Sequence, residues 1–223
     1  MKLEICCPSI SSAIIAEQCG ADRIEFCINL AEGGTTPTFD EIVKIKKAIK
    51  IPIHVLIRIR AGNFYYTEFE INEMAHQIEF CKQNKIDGVV IGALNSDHTI
   101  DATAIKKWLK IADGLDITFH KAFDEIENKA IALNQLINLN FNRILTSGHK
   151  GTALQGIESL KQLQKIATDK IIIMPGGSIR SSNLLDLKSA LPIVTEFHSA
   201  AAVLQNEALF AAEITAMKSV LNN

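Results

Sequence analysis

The chain has 223 residues, 48% of them hydrophobic, enough to bury a sizeable core and of a length that α/β barrels occupy as one domain. Its 23 Lys and Arg stand against 25 Asp and Glu, a net charge of -2 that provides no basic footprint for nucleic acid and no polybasic stretch for a membrane surface. No long apolar run or secretion-signal pattern is present and five cysteines are odd in number, so a cytoplasmic protein with free thiols is expected, its partner an ion or a small molecule.

In chain order, short β-like runs alternate with longer amphipathic segments, the pattern of a parallel sheet covered by helices. The predicted strands are 3–7, 22–27, 52–59, 88–92, 116–120, 143–147, 171–174 and 194–199. Between them helical spacing recurs, as in Phe39, Ile42, Val43 and Ile49, in Ile71, Met74, Ile78 and Cys81, and in Ala130, Leu133, Leu136 and Ile137. It recurs again in Leu154, Ile157, Leu160 and Leu163, and in a closing helix over 206–221 with Phe210, Ile214, Met217 and Leu221. Eight such units predict a (β/α)8 TIM-type barrel in a single domain, with a doubly wound open sheet as the alternative; no Gly-x-Gly-x-x-Gly opens the first helix.

Side chains alternate across a strand, so in a barrel the purely apolar row should face the helices and the other row the interior. That assigns Leu3, Ile5 and Cys7 outward against Glu4 and Cys6 inward, and Ile24 and Phe26 outward against Arg23, Glu25 and Cys27 inward. His54, Leu56, Arg58 and Arg60 form the inward row of the third strand, Thr118 and His120 that of the fifth, and Glu196 and His198 that of the eighth. Burying such groups costs several kcal/mol each unless they are paired, so Glu4, Glu25 and Glu196 are expected to face Arg23, Arg58 or the histidines. A structural ion-pair network is the plain reading of the deeper members.

Functional residues of this fold come from the carboxyl ends of the strands. Cys6, Cys27, Arg58, Arg60, His120, Lys121, Asp124, Ser147 and His198 all fall there. Cys6 and Cys27 lie on consecutive strands about 4.8 Å apart, so their sulfurs can meet, and two thiolates suit a soft ion such as Cu(I). A cysteine is equally a small buried hydrophobe. The turn 174–180, Met-Pro-Gly-Gly-Ser-Ile-Arg, precedes a helix, and its Gly176 and Gly177 with Ser147 and Gly148 could cup a phosphate or carboxylate. The acid–base candidates are His120, His198, Glu25 and Glu32, with Arg58, Arg60 and Lys121 as anion stabilisers. No Ser-His-Asp order, Walker loop or His-Glu-x-x-His names a reaction.

Taken together, Leu-Glu-Ile-Cys at 3–6, Gly-Ala-Asp-Arg-Ile-Glu-Phe-Cys at 20–27, Glu-Gly-Gly-Thr-Thr-Pro at 32–37, Thr-Phe-His-Lys-Ala-Phe-Asp at 118–124, Arg-Ile-Leu-Thr-Ser-Gly at 143–148 and Met-Pro-Gly-Gly at 174–177 resemble the CutC copper homeostasis family over residues 3–201. The resemblance implies a cytoplasmic TIM-like barrel that handles copper, with Cys6 and Cys27 as the Cu(I) ligands. Two departures stand out. The family's Ile-Arg-Pro-Arg-Gly-Gly-Asp-Phe reads Ile-Arg-Ile-Arg-Ala-Gly-Asn-Phe at 57–64, and its His-Arg-Ala-Phe-Asp has Lys121 in place of the bidentate arginine.

The first functional expectation is therefore Cu(I) binding through Cys6 and Cys27. The alternative is an enzyme acting on a small phosphorylated or carboxylated metabolite, with Arg58, Arg60, Gly176 and Gly177 holding the anion and His120 with Glu25 moving protons. A scaffold protein is a third and weaker reading, and association into a homo-oligomer is expected of a barrel this size.

Overall fold

The structure is a computed structural model and describes residues 1–149, 151–201 and 206–222. Its strands are short, because each needs only enough residues to span one barrel wall: β1 Lys2–Cys7, β2 Arg23–Phe26, β3 Ile53–Leu56, β4 Gly88–Ile91, β5 Asp116–Phe119, β6 Arg143–Thr146, β7 Ile172–Pro175 and β8 Glu196–Ser199. All seven ladders are parallel, in the order β7-β6-β5-β4-β3-β2-β1-β8, and β7 packs on β8 to close the ring. The barrel prediction holds. The long third strand does not: after Leu56 only Ile57 still donates to Val90 O, at 2.9 Å, and Arg58 then exchanges bonds with Thr36 of the preceding loop.

Eight helices follow the strands: α1 Ile10–Gln18, α2 Phe39–Ala48, α3 Glu68–Gln83, α4 Ala102–Ile111, α5 Lys129–Asn138, α6 Ile157–Ala167, α7 Ser181–Ala190 and α8 Glu207–Asn222. Their starts are written locally. Thr38 with Glu41 and Thr67 with Glu70 form capping boxes, and the carboxylate of Asp101 accepts from the first amides of α4. Three helices, α1, α4 and α7, lie outside the five helical spacings read from the sequence. In α1 the buried face is Ser12, Ala13 and Ala16, small residues that allow close approach, while α4 buries Ala104, Ile105 and Trp108 and α7 buries Leu184 and Leu187. Leu154, expected to open a helix, lies before α6 and is exposed.

The apolar row of each strand packs on the helices, as alternation predicts: Leu3, Ile5, Cys7, Ile24, Phe26, Ile53 and Val55 are all buried in one cluster with Trp108 and Phe210. Each such side chain contributes about 1.5–3 kcal/mol by leaving water. The opposite rows turn inward and carry the charged and sulfur-bearing groups. Among the described residues, no helix is long and apolar enough to cross a membrane.

Candidate functional site

At the bottom of the barrel the inward groups form one ion-pair network. Arg23 donates through Nε to Glu4 and through Nη2 to Glu196 Oε2 at 2.6 Å, and Arg143 reaches the same Glu196 oxygen at 3.0 Å. Arg143 also binds Asp116 Oδ2 at 2.8 Å and Thr118 Oγ1 at 3.2 Å. Burial works against the charge on Glu4, but the field of Arg23, followed by His198, outweighs it and holds the carboxyl well below its ordinary range. Glu4 and Glu196 do meet Arg23, as expected. Arg143 and Asp116 are network members outside the inward rows read from the sequence, although alternation against the buried Ile144 turns Arg143 inward.

One layer higher the network meets the thiols. The register aligns Glu4 with Arg23 and Cys6 with Glu25, so the second inward layer stacks directly on the first. Glu4 Oε1 holds His198 Nδ1 at 2.7 Å, leaving His198 Nε2 3.9 Å from Glu25 Oε2. Burial opposes the imidazolium, yet Glu25 and Glu4 together raise the His198 pKa above its ordinary value. For Glu25, burial raises the carboxyl pKa against the pull of His198. The Sγ atoms of Cys6 and Cys27 lie 3.4 Å apart, and that hydrogen bond, then burial and Glu25, push the Cys6 thiol well up. Cys6, Glu25 and His198 offer ligand atoms that all fall within 4.8 Å of one another.

Above this layer opens a cavity of about 530 Å3, lined among others by Cys6, Glu25, His120, Lys121, Gly177 and Arg180. Cys27 is fully buried behind Cys6 and does not reach it. His120, at the end of β5, caps the following 3-10 turn: its Nδ1 accepts from Ala122 N at 3.2 Å. A nitrogen that accepts carries no proton, so the neutral ring bears it on Nε2, which has no partner. Burial, with Arg58 adding, lowers the His120 pKa to about 3. His120 is thus held neutral with a hydrogen-bond donor at Nε2. Gly92 makes room for it, since a Cβ there would meet His120 Cε1 at 2.5 Å.

The two arginines after β3 separate. Arg58 lines the cavity, but its Nη atoms are taken by the carbonyls of Glu32, Gly34 and Gly62 at 2.8–3.0 Å, so it clamps two loops and binds none of the inward carboxylates. Arg60 is not among the lining residues: it pairs with Glu70 at 2.5 Å and holds the carbonyl of Tyr65 at 2.7 Å. Alternation stops governing side-chain direction where the ladder ends, and Arg60 lies beyond that point.

The proposed anion cup is half filled from within. Asp124 accepts from Ser147 N at 3.1 Å, from Ser147 Oγ at 2.8 Å and from Thr146 Oγ1, while Gly148 N is bound to Thr146 Oγ1 at 2.9 Å. The Gly176 amide donates to Thr146 O at 3.0 Å. Ser147, Gly148 and Gly176 therefore brace the wall with amides already engaged. Gly177, at φ +118, and Ser178 line the cavity, and among the described residues their amides have no acceptor.

With this geometry in hand, comparisons with known proteins converge. The model of the CutC family matches residues 1–203. A CutC family protein of Parabacteroides distasonis is 43% identical over 201 residues, covering 89% of this chain and 82% of the relative. The human copper homeostasis protein cutC homolog is 41% identical over 199 residues, covering 89% and 72%. The crystal structure of a putative copper homeostasis protein CutC from Streptococcus agalactiae superposes with a TM-score of 0.86 at 31% identity, over 90% of this chain and 98% of that one.

Proposed function

The chain belongs to the CutC family, and on that premise we propose that it serves copper homeostasis in the cytoplasm by holding Cu(I) as cargo between Cys6 and Cys27. The contact of the two sulfurs, 3.4 Å across neighbouring strands, carries this reading. Thiolates are soft donors that select Cu(I), and all five cysteines are free thiols, as a reducing compartment would keep them. Cys6 opens onto the cavity, which supplies an entry path.

His198 is the natural third donor. With Nδ1 held by Glu4, its Nε2 is oriented toward Cys6 and Glu25, the carboxylate–histidine–metal relation that fixes a ring for coordination. Because the ligands must be deprotonated to bind, uptake releases the thiol protons of Cys6 and Cys27. Anaerobic Cu(I) titration against a competing chelator tests the reading: wild type takes up about one Cu(I) per chain, and the Cys6→Ala, Cys27→Ala variant loses it. Unchanged stoichiometry in that double variant, with its melting curve intact, overturns the assignment.

A further inference from the structure

A second set of groups in the same cavity plays no part in thiol chemistry. His120 is 4% exposed, its Nδ1 is occupied, and its Nε2–H is buried in the cavity wall without an acceptor. A buried donor left without an acceptor destabilises the fold, so the site is built to meet an acceptor atom. Beside it Lys121 extends its Nζ to within 3.3 Å of where a Cβ of Gly177 would stand. There the amides of Gly177 and Ser178 are without acceptors among the described residues, ahead of the N-terminus of the ten-residue helix α7.

Charge at this point favours an anion. Arg180 spends Nη1 on Ile179 O and Ser199 Oγ and keeps Nε and Nη2 without acceptors among the described residues. The carboxylates that share the cavity have other partners: Glu25 faces His198, Glu125 lies 3.5 Å from His98, and Asp124, which takes donors from Thr146 and Ser147, stands 3.7 Å from Lys121 Nζ and leaves that ammonium's remaining donors for the ligand. Two cations and two open amides suit the dianionic oxygens of a phosphate, and the turn after the seventh strand is where barrels of this type hold one.

We infer that the barrel mouth binds a small phosphate monoester whose carbon chain carries a carbonyl, with the phosphate on Gly177, Ser178, Lys121 and Arg180 and the carbonyl oxygen on His120 Nε2–H. The cavity is within the range of small-molecule sites. This binding does not require Cys27 and stands independently of the copper reading.

Two probes that differ only in the carbonyl, hydroxyacetone phosphate and propyl phosphate, test it by calorimetry and thermal shift on the full chain. Both stabilise the protein, and hydroxyacetone phosphate binds about tenfold more tightly, the worth of one hydrogen bond. Arg180→Gln weakens both by a similar factor, and His120→Phe abolishes the preference while retaining propyl phosphate binding. If His120→Phe does not fold, the wild-type preference together with the Arg180→Gln loss decides. Failure of either ester to bind at tens of millimolar, equal affinity in wild type, or indifference to Arg180→Gln overturns the inference.

Discussion

Glu4 connects the charge network to the thiol layer: one oxygen faces Arg23, the other orients His198, and the side chain has almost no exposure to water. Breaking a buried pair strands its partner, so Glu4→Gln should cost about 3–5 kcal/mol in urea unfolding. Lys161→Ala, which removes an exposed pair with Glu158, should change stability by no more than about 0.5 kcal/mol. Equal effects would mean that the barrel network contributes no more than a surface pair. Alternation in the sequence turned Glu4, Arg23, Glu25 and Cys6 inward. It could not say that Glu4 would face both an arginine and a histidine, because those partners meet only across β1, β2 and β8.

At the scale of elements, β4 and β5 show how one strand prepares the site of another. Gly92 follows β4 with no positive φ, so its lack of a side chain serves space rather than backbone freedom. A methyl there collides with the His120 ring and breaks the Ala122 N–H contact that fixes its tautomer. Gly92→Ala should therefore destabilise by about 1–3 kcal/mol in urea unfolding and shift the His120 ring proton resonances. An unperturbed ring would mean that the wall yields at no cost. The motif containing His120 was legible as a strand end, and Arg58 and Asp124 were legible as residues of the mouth. That Arg58 would clamp loop carbonyls and Asp124 would fill the β6 turn depended on loop paths, which periodicity does not encode.

For the molecule as a whole, the buried histidines set the response to acid. His54, lowered to about 4 by burial and then by Arg23 and Arg143, and His120, lowered to about 3, stay neutral when folded, whereas unfolded they protonate near pH 6.5. Their contribution is present above pH 6.5 and is lost as pH falls toward the folded values. Glu25, raised by burial, works in the opposite direction and can offset no more than one proton. His198, held up by Glu25 and Glu4 against burial, contributes fully below its unfolded value and loses that contribution as pH rises through the folded one. Two protons taken up by the unfolded histidines against at most one held by Glu25 leave a net uptake on unfolding, so unfolding free energy should fall as pH drops from about 6.5 to about 5. A flat or rising profile in urea titrations would contradict it. By itself the sequence determined the eight alternating units, the outward apolar rows and the chemical character of the interior, because period and composition are properties of neighbouring residues. Only the tertiary structure decided which groups meet: the contact of Cys6 with Cys27, the unpartnered Nε2 of His120, and the departure of Arg60 from the mouth. Those depend on barrel register and loop closure, which bring together residues far apart in the chain.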